Sequence, residues 1–144
     1  MSRIENIENE ESKIENIESQ VEETETKLEE INGRLSQIEN AISQISDDQE
    51  IAQSLENNRE NVENEKEETV QHLQVYEQEL GDVQSALSEM ESENEKSAQA
   101  VSEVQSIGED VSDAISIIEN RKSKIAEMNS KAQEIAQRIS ELKR

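Results

Sequence analysis

The chain contains no cysteine, proline, tryptophan or phenylalanine, one tyrosine, one histidine and three glycines in 144 residues. Each shortage excludes something. Without cysteine there is no disulfide framework, no thiol catalysis and no thiolate metal site. Without proline nothing forces a helix to break, so very long helices are permitted. Aromatics bury large areas and dominate ordinary three-dimensional cores; their near absence leaves Ile, Leu, Val, Met and Ala to make the buried surface. Those residues suit a narrow seam between helices better than a broad core. Basic residues are scarce as well, 14 against 36 acidic ones, for a formal net charge of −22. Nucleic acid and anionic membrane surfaces carry the same sign and are repelled by the body of such a chain.

A charged fraction of 35% against 31% hydrophobic could describe a disordered acidic chain. The order of the apolar residues argues otherwise. Ile14, Ile17, Val21, Leu28, Ile31, Leu35, Ile38, Ile42 and Ile45 fall into one register of alternating three- and four-residue steps, broken only by Thr24. After a polar gap the rhythm returns with Leu73, Tyr76, Leu80, Val83, Leu87 and Met90, then Val101, Val104, Val111, Ile115, Ile118, Ile125 and Ile139. This is a heptad with apolar first (a) and fourth (d) positions, the pattern of helices packed along a seam. The fold class it predicts is all-α: an elongated heptad coiled coil, folded back into a helical hairpin or bundle in preference to one continuous helix.

The reading divides the chain into an irregular start over 1–13, a first heptad segment over 14–45, a phase change and polar stretch over 46–69, and a second heptad segment over 70–142. Breaks are expected near 46–50, 56–69 or 92–97. Ser46 and Gln49 have capping-box spacing, and Asp47 and Asp48 suit a first helical turn. The 56–69 stretch puts Arg59 and Lys66 at seam positions, with Val62 its only apolar residue. The run 92–97 puts Asn94 and Ser97 there. Gly33 sits inside an unbroken register and reads as a weak spot within a helix; Gly81 and Gly108 read as tolerated glycines. β-Branched residues at d, among them Ile17, Ile31, Ile38, Val83 and Ile118, favour more than two helices in cross-section. A continuous helix would span roughly 200 Å, and a three-helix arrangement roughly 60 Å per segment.

Charge is unevenly spread. Residues 121–144 hold Arg121, Lys122, Lys124, Lys131, Arg138, Lys143 and Arg144 against three glutamates, whereas residues 1–30 are strongly acidic. Opposite signs at the two ends favour antiparallel neighbours, either within one chain or between two; the alternative is a solvated charged face with a local excess. The basic segment could otherwise grip an acidic partner or anionic lipid.

Chemistry-bearing motifs are few. His72 stands alone, beside the seam, and reads as a surface residue. Three scattered glycines form no phosphate-cradling loop, and the carboxylates lie along helix faces, with neither EF-hand spacing nor a pocket to shift a pKa. Tyr76, Met90 and Met128 read as seam fillers. The expectation is therefore no catalytic, cofactor-binding or metal site, no cofactor and no small-molecule substrate. No apolar run has the length of a membrane span, and Met1-Ser2-Arg3 leads straight into acidic residues, unlike a signal peptide. The cytoplasm is the expected location, and a signal-independent export route is compatible with it.

Two functions fit. One is a non-enzymatic structural or scaffolding coiled coil that acts through helix–helix association. The other is a small acidic helical chaperone or secretion partner that binds another helical protein. In size, acidity and helicity the chain is similar to the small acidic helical proteins that accompany bacterial secretion systems. The Trp-x-Gly turn of small helical secretion substrates is absent, and so is their C-terminal Tyr-xxx-Asp/Glu signal, since Leu80 follows Tyr76 at that spacing. The expected partner is a second copy of the chain or another helical protein.

Overall fold

The computed structural model describes residues 7–45 and 47–144. Three helices account for nearly all of them: α1 (Ile7–Gln44), α2 (Gln49–Ser106) and α3 (Ser112–Leu142), with no strand among the described residues. The chain is a folded-back helical bundle. At about 1.5 Å per residue, the 58 residues of α2 span about 87 Å and set the length of the molecule.

The helices run up, down and up. Arg34 of α1 meets Glu65 of α2 at 3.1 Å, while Ile17 and Val83 line the same groove further along, so α1 and α2 are antiparallel. Asn94 of α2 bonds to the Ile118 carbonyl of α3, and Glu77 meets Lys143 at 3.0 Å, so α2 and α3 are antiparallel too. It follows that α1 and α3 are parallel. The pairing of basic C-terminal and acidic N-terminal regions expected from sequence is present, but its orientation is corrected. Two short turns place the first and third helices side by side in the same sense.

The first turn lies within the 46–50 region expected from sequence. Asp48 caps α2: its side-chain oxygen accepts from the Ile51 amide at 3.2 Å, satisfying one of the free donors of the first turn. Ser46, the cap suggested by sequence, lies outside the described residues. The second turn differs from expectation. Helix α2 runs unbroken through both 56–69 and 92–97 and ends at Ser106. Its polar seam residues are accommodated within the helix: Thr69 Oγ1 donates to the Glu65 carbonyl, Ser97 Oγ to the Glu93 carbonyl, and Asn94 Nδ2 across to Ile118. Arg59 lies along the helix surface between Glu56 and Glu63.

The chain turns instead over 107–111. Gly108 has φ +89°, the conformation that ends helices cheaply when the residue has no Cβ. It is therefore the residue that makes the turn possible, where the sequence reading had a tolerated glycine inside a helix. Part of the supposed irregular start is also corrected: α1 begins at Ile7, whose side chain packs against the core. Residues 1–6 lie outside the described residues.

The core is concentrated where all three helices overlap. Ile14, Ile17, Val21 and Leu28 of α1 meet Leu73, Leu80, Val83, Leu87 and Met90 of α2 and Ile125, Met128, Ala132, Ile135 and Ile139 of α3 in one cluster. Beyond it the molecule thins to two helices at each end. One arm pairs the last turns of α1 with the start of α2; the other pairs the end of α2 with the start of α3.

Candidate functional site: a helix seam and its outer grooves

The seam residues named from sequence divide into two groups. Ile14, Ile17, Val21, Leu28, Ile31, Leu73, Leu80, Val83, Leu87, Met90, Ile125 and Ile139 are buried. Leu35, Ile38, Ile42 and Ile45 in the first arm, and Val101, Val111, Ile115 and Ile118 in the second, are half-buried, as is Tyr76 beside the central cluster. Val104 is the exception. It is exposed, because it lies in the last turns of α2 near Ile107, which is itself 75% exposed.

In α3 the seam has a different phase from the one the heptad suggests. Carried forward from Leu73, the register puts Lys122 and Asn129 on the seam. The helix is instead rotated so that Met128 and Ile135 join Ile125, Ala132 and Ile139 in the core. Lys122 is left exposed and Asn129 half-buried. Burying an ammonium without a partner is costly, and two larger apolar side chains are available one position before Asn129 and Ala136. Core residues missed from sequence are thus Ile135, Ala132, Ala86 and Val62, with Thr24, Thr69 and Asn94 as buried polar members. The three- and four-residue spacing of 125, 128, 132, 135 and 139 is itself a second stripe that overlaps the heptad one.

This rotation brings a charge ladder into register. Lys124 meets Glu11 at 3.4 Å, Lys131 meets Glu18 at 3.2 Å, and Arg138 Nε donates to Glu25 Oε2 at 2.6 Å. Glu22 lies 3.7 Å from Arg138 as well. All three rungs join residues 113 positions apart and recur every seven residues on both helices. Flanking charges at that spacing set partner choice and orientation along a helix seam. The basic C-terminal segment is therefore matched, at these three positions, to the chain's own acidic α1.

Among the open grooves outside the core are three between helices. One between α1 and α2, of about 730 Å³, is lined by Glu10, Lys13, Ile17, Glu79, Asp82 and Val83 among others. Glu10, at a seam position, is buried and pairs with Lys13 at 3.1 Å. A second groove, of about 480 Å³, runs along the first arm past Ile38, Ala41, Leu55 and Val62. The third, of about 490 Å³, lies between α2 and α3. It is lined by Asn94, Ala98, Ile118, Lys122, Ile125 and Asn129, with Glu91, Glu95 and Glu119 also on it. Asn94 Nδ2 donates to Ile118 O at 3.0 Å, but its Oδ1 is buried and accepts nothing.

His72 is exposed. Among the described residues no group of three or more His, Asp and Glu side chains could hold a metal ion, and no helix is long and apolar enough to cross a membrane. Among the described residues, the one carboxylate with a clear shift is Asp110, in the second turn. The Ser112 hydroxyl donates to it at 2.6 Å and the Ser112 amide at 3.1 Å, which holds its pKa below the usual aspartate range. Those bonds order the entry to α3, whose own N-cap residue, Val111, offers no side-chain acceptor. Compared with known proteins, the chain matches no family model, no curated sequence and no solved structure.

Proposed function

We propose that this chain is a non-enzymatic structural or scaffolding protein that acts through helix–helix association. The observation that carries the reading is the uneven closure of the seam. Its apolar residues are sealed in the three-helix centre, whereas in the arms Leu35, Ile38, Ile42, Ile45, Val101, Ile115 and Ile118 are only half-covered. Half-covered heptad stripes gain by acquiring a further helix, because burying the remaining apolar area is favourable. The molecule then serves as a spacer roughly 90 Å long with associating ends. A cytoplasmic location fits the cysteine-free composition and belongs to the same proposal.

A second reading, an acidic helical chaperone that binds another helical protein, is favoured by one observation: the α2–α3 groove with three glutamates and an unsatisfied Asn94 acceptor. Light scattering and small-angle X-ray scattering separate the two. The scaffold predicts a stable homo-oligomer at micromolar concentration. A monomer that gains thermal stability only on adding a second helical protein supports the chaperone. For the monomer, a maximum dimension of about 90–100 Å is expected from the length of α2; one near 200 Å belongs to an unfolded-back rod and would exclude both.

A further inference from the structure

We propose that the outer groove between α2 and α3 docks a basic amphipathic helix of a partner protein. The inference deepens the helix-association reading and rests on it. Position on the helix comes first. Lys122 and Asn129 each lie two residues before a rung of the α1–α3 ladder, Lys124 or Lys131. At 3.6 residues per turn that places them roughly 160° around α3 from the face that α1 covers. The groove therefore opens on the side of the α2–α3 pair away from α1, and α1 does not fill it.

Its floor is suited to a helix. Ile118 offers apolar surface above the buried Ile125, while the exposed Ala98 and Ala126 keep the walls low enough for close approach. Along α3 the lining runs from Ile118 to Gln133, roughly 22 Å or four helical turns.

Asn94 is the second, independent observation. The residue is only 5% exposed, lines the groove, and has an acceptor with no donor. Buried polar groups are nearly always paired, so an orphan of this kind marks a place where a partner atom belongs. A donor on the incoming helix, such as an Asn or Gln amide, completes it and fixes the register of docking, as single buried asparagines do in helix seams.

Charge selects the occupant. Glu91, Glu95 and Glu119 stand on the groove against Lys122 alone, on a chain of net charge −22. A second copy brings the same excess, and its Lys124, Lys131 and Arg138 are already matched to its own α1. Lys or Arg flanking an apolar stripe on a foreign helix provides the complement.

The test uses the full chain and a synthetic helical probe of three heptads. The probe has an Ala/Leu stripe, flanking lysines and one Asn in mid-stripe, and is followed by fluorescence anisotropy. Saturable binding of one peptide per chain is expected. Ala126→Arg, on an exposed groove residue, should weaken it about tenfold or more, whereas Ser36→Arg, which adds the same charge far from the groove, should leave it unchanged. Ala98→Arg repeats the block from α2, and circular dichroism verifies that each variant stays helical. Asn94→Leu should abolish the preference for the Asn peptide over its Leu counterpart. Equal weakening by Ala126→Arg and Ser36→Arg, equal binding of a glutamate-flanked peptide, or no binding overturns the proposal. So does a dimer that Ala126→Arg dissociates, because the occupant is then a second copy. Light scattering on the same samples keeps the two readings apart. A monomer that binds the probe upholds the groove and counts against self-assembly; an oligomer that ignores the probe does the reverse.

Discussion

Around Leu80, α2 has apolar neighbours from both other helices; around Leu55 it faces α1 alone. In the centre Leu73, Leu80 and Leu87 are almost wholly buried, within one cluster drawn from three helices. In the arms the same heptad positions, Leu35, Ile38, Ile115 and Ile118, stay half-exposed. The residue types barely differ. What differs is the number of helices in cross-section. A heptad stripe on two helices cannot remove its own apolar surface from water, and a third helix does. Stability should therefore be unevenly distributed, with opening free energies lowest in the arms.

The sharpest way to break the comparison is to make the same substitution in both regions. Leu87→Ala should cost about 3 kcal/mol or more, as truncations in tight cores do, whereas Leu35→Ala should cost about 1 kcal/mol, since that side chain is only partly buried. Urea denaturation followed by circular dichroism measures both, and equal losses would erase the distinction. Glycine substitutions come next and should differ in sign. Gly108→Ala forces a Cβ onto a positive φ and should destabilise the second arm by about 1 kcal/mol. Gly33→Ala, in a helix with open space around the new methyl, should stabilise the first arm by a little less than about 1 kcal/mol. Thermal melts of the two variants should move in opposite directions.

The ladder ranks third. Lys131→Glu should cost about 0.5 kcal/mol, because the pair is partly exposed and screened, and adding Glu18→Lys should recover most of it. A double-mutant cycle at low and high salt tests this, and the coupling should shrink as salt rises. The smallest effect is local. The lowered pKa of Asp110 means its carboxylate stabilises the turn at all pH values above the ordinary aspartate pKa of about 3.9, and loses that contribution as pH falls through the lower folded value. Protection of the Ser112 amide relative to its intrinsic exchange rate should fall only in that acid range, and Asp110→Ala should lower it at every pH.

The first turn was legible because the register changes at the start of the 46–69 stretch, beside a cap and a run of acids. The second was hidden by periodicity. Val104 and Val111 are one heptad apart, so the apolar phase passes through the turn without resetting, and only Gly108 betrays the bend. The false breaks at 56–69 and 92–97 arose from polar seam residues. These were read as loop signals, yet Thr69, Ser97 and Asn94 find carbonyls within the helices. The α3 phase was missed because two apolar stripes share Ile125, Ala132 and Ile139. Only packing against α1 chooses Met128 and Ile135 over Lys122 and Asn129. The groove followed from that choice and so could not be read from the heptad.

The regular spacing of the ladder has a further consequence for the evolution of such a molecule. A lock whose three rungs repeat every seven residues keeps two of them after a slip of seven, so it chooses a neighbour more firmly than an alignment. Alignment falls to features that do not repeat: the two short turns and the Asn94 bond to Ile118. Conversely, seven residues added to each strand of an arm, opposite one another, would leave every existing contact in place and lengthen the arm by about 10 Å. The fold behaves as a graduated ruler whose reach can be reset in whole steps.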